Sequence, residues 1–387
     1  MENANSRYVW KNQKKLRTGY TTGSCAAGAA KAAARMLLGG ETVEQIKLHT
    51  PGGITLYLDV DRIVRDSGGV TCAIQKDSGD DPDVTNGIYV YAKVEKTEEE
   101  GITIRGGEGV GVVTRKGLEQ AVGEPAVNRV PRQMIREAVE SERLSYGYDG
   151  GLAVTVSIPE GVRLAGQTFN PRLGIEGGLS VLGTTGIVEP MSERALIETI
   201  CAEMTMLKAG GRDFCYVVPG NYGSDFLHDT LGYRGDAAVK CSNYIGETID
   251  AAVRLGMRGI LLAGHVGKLV KVAAGIMNTH SHQADGRLEI LAAHAAMAGA
   301  GRKLVCRIMG CITTSGALAL LEEAGIRKPV MHTVMEKMEK HLVTRAGENL
   351  KIGAVMFEPE YGILGMTGGA EELLEELKGT SSALQKD

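Results

Sequence analysis

The chain has 387 residues, 43% hydrophobic and 23% charged, which excludes a disordered tail or a fibre and leaves room for two or three domains. Its longest stretch free of Asp, Glu, Lys and Arg is the 14 residues Ile308–Leu321, short of the ~20 apolar residues that a bilayer span needs. The formal charge is −4 and residues 1–160 carry 20 basic against 22 acidic side chains, so neither nucleic acid nor a membrane is expected as a partner.

The opening MENANSRYVWKNQKKLR has charges but no apolar core, which predicts no secretory signal and a cytoplasmic protein. Seven scattered cysteines without a C-x-x-C pair read as buried thiols rather than a zinc site. Glycine, at 53 residues, is about twice its average usage and points to many tight loops. Oligomeric state is not derivable from any of these features.

In chain order, Thr22 or Ser24 is expected to cap a helix that starts near Cys25 and ends at Gly39-Gly40. Strands are predicted over residues 46–49, 54–60, 70–75, 89–94 and 102–104, the second alternating as Ile54, Leu56, Leu58 and Val60. A helix follows from Pro131, and a strand over 152–158 closes the set. Strands and helices without regular alternation suggest an α+β domain over residues 1–165. Beyond Pro171 the rhythm becomes strand, glycine loop, helix. Residues 179–182 lead into GTTG, 215–218 into PGNYG, 259–263 into GHVGK and 352–357 into EPEYGILGMTGG. That repetition predicts a Rossmann-like α/β domain over 166–387, mainly parallel, with ligands at the carboxyl ends of its strands.

Each motif admits two readings. GTTG, Gly183–Gly186, could approach a nucleotide-type cofactor or simply turn from strand to helix; it is not G-x-G-x-x-G. GHVGK lacks the spacing and hydroxyl residue of a phosphate loop, though Lys268 could meet a carboxylate. KDSGDDPDVTNG crowds Asp77, Asp80, Asp81 and Asp83 into a turn without calcium-loop spacing. His280 and His282 form no recognisable ligand triad, and no protein metal site is expected. Cys25 sits where a helix N-terminus could activate a thiol, but packing is the preferred reading.

The stretch LRTGYTTGSCAAGAAKAA, Leu16–Ala33, resembles the opening of the CbiD-type cobalt-precorrin-5B C(1)-methyltransferases of anaerobic cobalamin biosynthesis. The likeness continues through KDSGDDPDVTNG, GGEGVGVVTRKGL and VPRQMI. It resumes with GLSVLGTTGIVEPMSE, VPGNYG, GHVGKLVKVAAGIMNTHS and ADGRLE, so it reaches from residue 16 to about 289. Departures are confined to single positions such as Gly28 and Lys116.

The resemblance implies methyl transfer from S-adenosyl-L-methionine to C-1 of a ring-contracted tetrapyrrole whose cobalt arrives chelated by the substrate. The product would be cobalt-precorrin-6A. Given that reaction, motif position suggests a cofactor site at Gly183, Thr184, Thr185, Gly186, Gly220, Asn221, Gly264 and His265. The helix start Thr21, Thr22, Gly23 and Ser24, with Lys268, would hold substrate carboxylates across an interdomain cleft. Asp80 and Asp81 would accept a proton or organise polar groups at the reacting carbon. A nicotinamide-dependent reductase on a tetrapyrrole or other polycarboxylate is the alternative, weakened by the missing ribose acid; a non-catalytic tetrapyrrole-binding protein is the third.

Overall fold

The computed structural model describes residues 7–11, 13–231, 233 and 238–383. It is a mixed α/β chain of two compact units, residues 1–193 and 194–387.

The first unit is built on a five-stranded sheet in the order Asp61–Arg65, Val70–Gln75, Tyr89–Thr97, Gly151–Ser157, Ile102–Gly106. All its pairs are antiparallel except the last, which is parallel. Alternation along Tyr89–Thr97 buries Val90, Ala92 and Val94 and turns the residues between them toward solvent. The helix Thr22–Gly39 packs on this sheet with a face of alanines, all fully buried, whose small side chains permit close approach. At Gly28 even a methyl group would lie 2.6 Å from Leu58 Cδ1. A second helix, Arg129–Ser145, packs beside the first, and the buried Glu142 receives the Arg35 guanidinium through two bonds of 2.9 and 2.8 Å.

The helix begins earlier than expected. Its cap is Thr21, whose Oγ1 accepts from Ser24 N at 3.2 Å, and it ends at Gly40 in the left-handed region at φ 83°. Thr22 does not cap, because its hydroxyl accepts from Leu182 N at 3.0 Å. Four short pieces escaped the sequence reading: the hairpin Tyr8–Lys11 with Lys14–Arg17, the strand Gly19–Tyr20, the strand Asp61–Arg65 and the two residues Val112–Val113. Runs this short carry too little periodicity to be read.

The second unit holds a five-stranded, mostly parallel sheet: Ala238–Lys240, Phe214–Val218, Gly259–His265, Lys351–Glu358, Gly362–Met366. The first four are parallel and the last is antiparallel to its neighbour. Phe214–Val218 is buried throughout and Gly259–His265 nearly so, as expected of strands covered on both faces.

Three expectations for this half need correction. Residues 179–182 are not a strand of the parallel sheet; they bridge Val110 and Val127 in the first unit. Residues 166–190, expected with the second domain, pair there too, Ile175 with Val113 and Ile187 with Tyr20. The local sequence of apolar run, glycines and helix was the same, but the partners were remote. The EPEYGILGMTGG segment turns back on itself at Gly362, φ 67°, to form a hairpin rather than a plain loop. The helical segment expected after GHVGK is present as the four-residue helix Val266–Leu269 followed by a 3₁₀ turn over Val270–Ala274.

The first unit depends on a close backbone crossing at Gly19. A Cβ there would stand 2.3 Å from Asp77 O and from Ser78 C, both main chain and unable to give way cheaply. Gly19→Ala should therefore destabilise the protein by ~1–3 kcal/mol or more, read as a lower denaturation midpoint at constant m-value.

Candidate functional site

Each unit gathers part of the motif set. In the first, three segments converge on the start of the Thr22–Gly39 helix. Gly23 N donates to Leu182 O at 3.0 Å, Thr21 N to Gly186 O at 3.1 Å, and Ser24 Oγ to Gly186 O at 2.7 Å. The TTGS residues thus clamp the ends of the Gly183–Gly186 loop, while Gly52 N donates to Thr185 O at 2.9 Å from another side. Thr21, Thr22 and Ser24 are buried, and Thr184 is the exposed member of its loop.

This corrects the expected position of the GTTG loop: it belongs to the first unit, bonded to TTGS, and is not a loop of the parallel sheet. Its glycines are required by packing. Gly186 has φ 80°, and a Cβ there would stand 2.8 Å from both Ser24 Oγ and Thr50 Cβ. Valine at 186 would disturb the loop with or without a ligand.

The acidic turn joins the same network. Arg17 clasps Asp77 with bonds of 2.5 and 2.7 Å and holds its carboxyl below the usual carboxylate range. Asp80 Oδ2 accepts from Arg17 N at 2.6 Å, and Asp81 Oδ1 accepts from Met191 N at 2.9 Å. Asp83 accepts from the buried Lys76 ammonium at 2.7 Å. The four carboxylates therefore divide into Asp77 and Asp83, paired with cations, and Asp80 and Asp81, each accepting from a backbone N–H. Cys25 is fully buried, and burial pushes its thiol up to about 12, which agrees with packing.

In the second unit the carboxyl ends of the parallel strands bring Gly220, Asn221, Gly264, His265 and Lys268 together. Lys268 Nζ donates to Pro219 O at 2.6 Å and reaches Ser242 O at 3.4 Å, bridging two strand ends. The ideal Cβ position of Gly220 is 3.9 Å from that ammonium, and a Cβ at Gly264 would touch Pro219 at 3.1 Å. Asn221 Oδ1 accepts from Lys240 Nζ at 3.0 Å. His265 caps the short helix, its Nδ1 accepting from Gly267 N at 3.0 Å, so the ring keeps its proton on Nε2. The rings of Phe357 and the exposed Tyr222 each lie 6.1 Å from it.

Sequence reading missed Glu358, Ser242 and Ser315. Glu358 ends the Lys351–Glu358 strand beside His265; it is buried, accepting from Ser315 Oγ at 3.1 Å and Glu360 N at 2.8 Å. An acid directly at a strand end, in the EPEYG run, was the available signal. Ser242 and Ser315 left none, since only the fold brings them near.

The electrostatics favour an anion. Burial holds the Lys268 ammonium below its ordinary value, and its hydrogen-bond acceptors among the described residues are the carbonyls of Pro219 and Ser242. Its acceptors are neutral carbonyls, so a ligand carboxylate would relieve the cost of desolvation. Among the described residues, no group of three or more His, Cys, Asp or Glu is placed to hold a metal ion. His280 and His282 lie with their rings 5.0 Å apart, joined by a bond from His282 N to His280 Nδ1.

Burial also holds His265 below the ordinary imidazole value of 6.5, with Glu358 opposing, and His294 likewise. The unfolded chain therefore takes up these protons at higher pH than the folded one. The stability that the neutral rings contribute is complete above about pH 6.5 and is lost as pH falls below it. The melting temperature should drop between about pH 7.5 and about pH 5.5. The double variant His265→Asn, His294→Asn should flatten that slope, since asparagine can still cap the short helix at 265.

Two family models match the chain: CbiD over residues 9–190 and the CbiD C-terminal domain over 278–368. A cobalt-precorrin-5B C(1)-methyltransferase of Ruminiclostridium cellulolyticum is 50% identical, covering 96% of this chain and 97% of the relative. One of Alkaliphilus metalliredigens is 46% identical, covering 96% and 98%. The crystal structure of the cobalamin biosynthesis protein cbiD from Archaeoglobus fulgidus is 29% identical, covers 71% of this chain and 86% of that one, and superimposes with a TM-score of 0.39. With half its residues identical to a relative matched almost end to end, this chain belongs to the CbiD family.

Proposed function

We propose that this chain is a cobalt-precorrin-5B C(1)-methyltransferase that uses S-adenosyl-L-methionine as methyl donor and forms cobalt-precorrin-6A in the cytoplasm. The observation that carries the reading is 50% identity, over 96% of the chain, to a relative of that name.

In this reading the second unit is the cofactor side, a Rossmann-like arrangement, and the first is the substrate side, with the roles dividing near residues 165–193. The donor's amino-acid end carries a carboxylate, which suits Lys268, an ammonium at the strand ends whose acceptors among the described residues are neutral carbonyls. Gly220 and Gly264 leave room for close backbone approach, Asn221 offers an amide, and His265 offers its Nε2 proton. The bound donor supplies an electrophilic methyl sulfonium. The chain's task is to orient it against the ring carbon and exclude water.

On the substrate side, the N–H groups of Thr21, Gly23 and Ser24 and the Ser24 hydroxyl are engaged internally, so their part is to position the Gly183–Gly186 loop, with Thr184 facing outward. Asp80 and Asp81 each keep a carboxylate oxygen beyond the backbone bond described, available to hold a polar group or take a proton at the reacting carbon. Cobalt enters as part of the substrate.

Calorimetry with S-adenosylhomocysteine and with NADPH tests the reading. Binding of the first and not the second is expected, and the reverse would make the chain a reductase. Lys268→Ala should weaken S-adenosylhomocysteine by ~10-fold or more, the loss expected of one charged hydrogen bond, with circular dichroism unchanged. Asp81→Asn keeps an oxygen that can accept from Met191 N. If Asp81 acts on the substrate, anaerobic turnover should fall by ~10²-fold while cofactor affinity holds; near-normal turnover would leave it a structural acceptor.

A further inference from the structure

From Arg7 to Arg17 the chain carries Arg7, Lys11, Lys14, Lys15 and Arg17 and no acidic residue, within a chain of net charge −4. In the hairpin formed by Tyr8–Lys11 and Lys14–Arg17, Tyr8 stands opposite Arg17 and Trp10 opposite Lys15. Directly opposed residues of an antiparallel pair share a face, so two aromatic rings and two cations lie together. Trp10, the chain's one tryptophan, is 73% exposed and Tyr8 44%. The Lys15 ammonium lies 4.3 Å from the centre of the Tyr8 ring. Leaving so large an apolar side chain in water forgoes its burial, which marks the face as one that something covers.

The hairpin is anchored to the acidic turn. Arg17 is taken by Asp77, and its backbone N–H by Asp80. Lys11 Nζ donates to Met191 O at 3.1 Å, and Met191 N in turn donates to Asp81. That leaves Arg7, Lys14 and Lys15, all exposed, as cations for which no ion pair with a described carboxylate is seen; of these Lys14 and Lys15 lie in the hairpin strands.

Resting on the methyltransferase reading, we propose that this hairpin face is a docking surface for the tetrapyrrole substrate. Trp10 and Tyr8 meet the flat conjugated macrocycle, and Lys15, with Lys14 at the hairpin end, pairs with its carboxylate arms. The charge decides the occupant: a stretch, residues 7–17, whose own sequence holds five cations and no acid, with Lys14 and Lys15 left over once Arg17 is taken by Asp77, complements a ring fringed with carboxylates. Position agrees, since Arg17 N donates to Asp80, and Lys11 reaches the O of Met191, whose N–H donates to Asp81.

The full-length chain can be titrated by calorimetry with cobyrinic acid, a cobalt corrin with free carboxylates, and with its fully amidated counterpart, alongside S-adenosylhomocysteine. Cobyrinic acid should bind, quench the Trp10 emission and weaken as salt rises. The amide should bind ~10-fold more weakly or worse. Trp10→Ala and Lys15→Ala alter exposed side chains; each should cost about ten-fold in cobyrinic acid affinity and leave S-adenosylhomocysteine affinity unchanged. Wild-type affinity for cobyrinic acid in both variants overturns the proposal. So does a shift from dimer to monomer in Trp10→Ala with corrin binding intact, or tighter binding of a short RNA that displaces the corrin. Failure of the wild-type chain to bind S-adenosylhomocysteine would strike the methyltransferase reading, while the corrin titration would still decide the hairpin.

Discussion

The start of a helix presents backbone N–H groups with no partner inside the helix, and the first unit is organised around satisfying them. At Thr22–Gly39 the chain meets part of that demand locally, where Thr21 Oγ1 takes the Ser24 N–H, and part from more than 150 residues away, where Leu182 O takes that of Gly23. Once Leu182 and Gly186 are fixed there, Ile187–Val188 is delivered to pair with Gly19–Tyr20. That strand in turn lies against the acidic turn, where Tyr20 N donates to Asp77 O at 2.8 Å. The hairpin before it, the turn and the GTTG loop are thus held by one chain of backbone bonds. Glycines at 19 and 186 let the segments approach, because a Cβ at either would collide.

The second unit answers a different constraint. Parallel strands covered on both faces leave only their ends for polar chemistry. Their carboxyl ends collect carbonyl oxygens, and Lys268 sits among these with a desolvated ammonium that, among the described residues, donates to the carbonyls of Pro219 and Ser242. Beside it, His265 uses Nδ1 to cap a helix and is left with a proton on Nε2. A cation kept partly from water at a strand end costs stability, which is why the proposed donor carboxylate is placed there.

Much of the fold was legible because it is periodic. The alternation in Tyr89–Thr97, the alanine-rich helix ending at Gly39-Gly40 and the apolar strand Phe214–Val218 were all read close to their observed limits. The GTTG loop was misplaced because an apolar run, two glycines and a helix look the same beside any sheet. Leu179 and Val181 are buried in the first unit by Val110 and Val127, a pairing with no local sign. The cap was placed beyond Thr21 because Thr21, Thr22 and Ser24 are all competent acceptors, and only the approach of Leu182 draws Thr22 away. Among candidate site residues, the strand-end set was found from its glycines and Lys268, whereas Glu358 and Ser315 meet through remote loops.

By itself the sequence determined membership of the CbiD family, through long blocks that follow one another in the family's order, and the type of most helices and longer strands, through hydrophobic period. Tertiary structure alone decided which unit owns residues 166–190, what the TTGS donors bond to and which carboxylates have cations. It also decided that Trp10 stays in solvent beside Lys15. Period and composition describe a residue's near neighbours along the chain. Hydrogen-bond partners and desolvation are set by segments brought together only when the core closes.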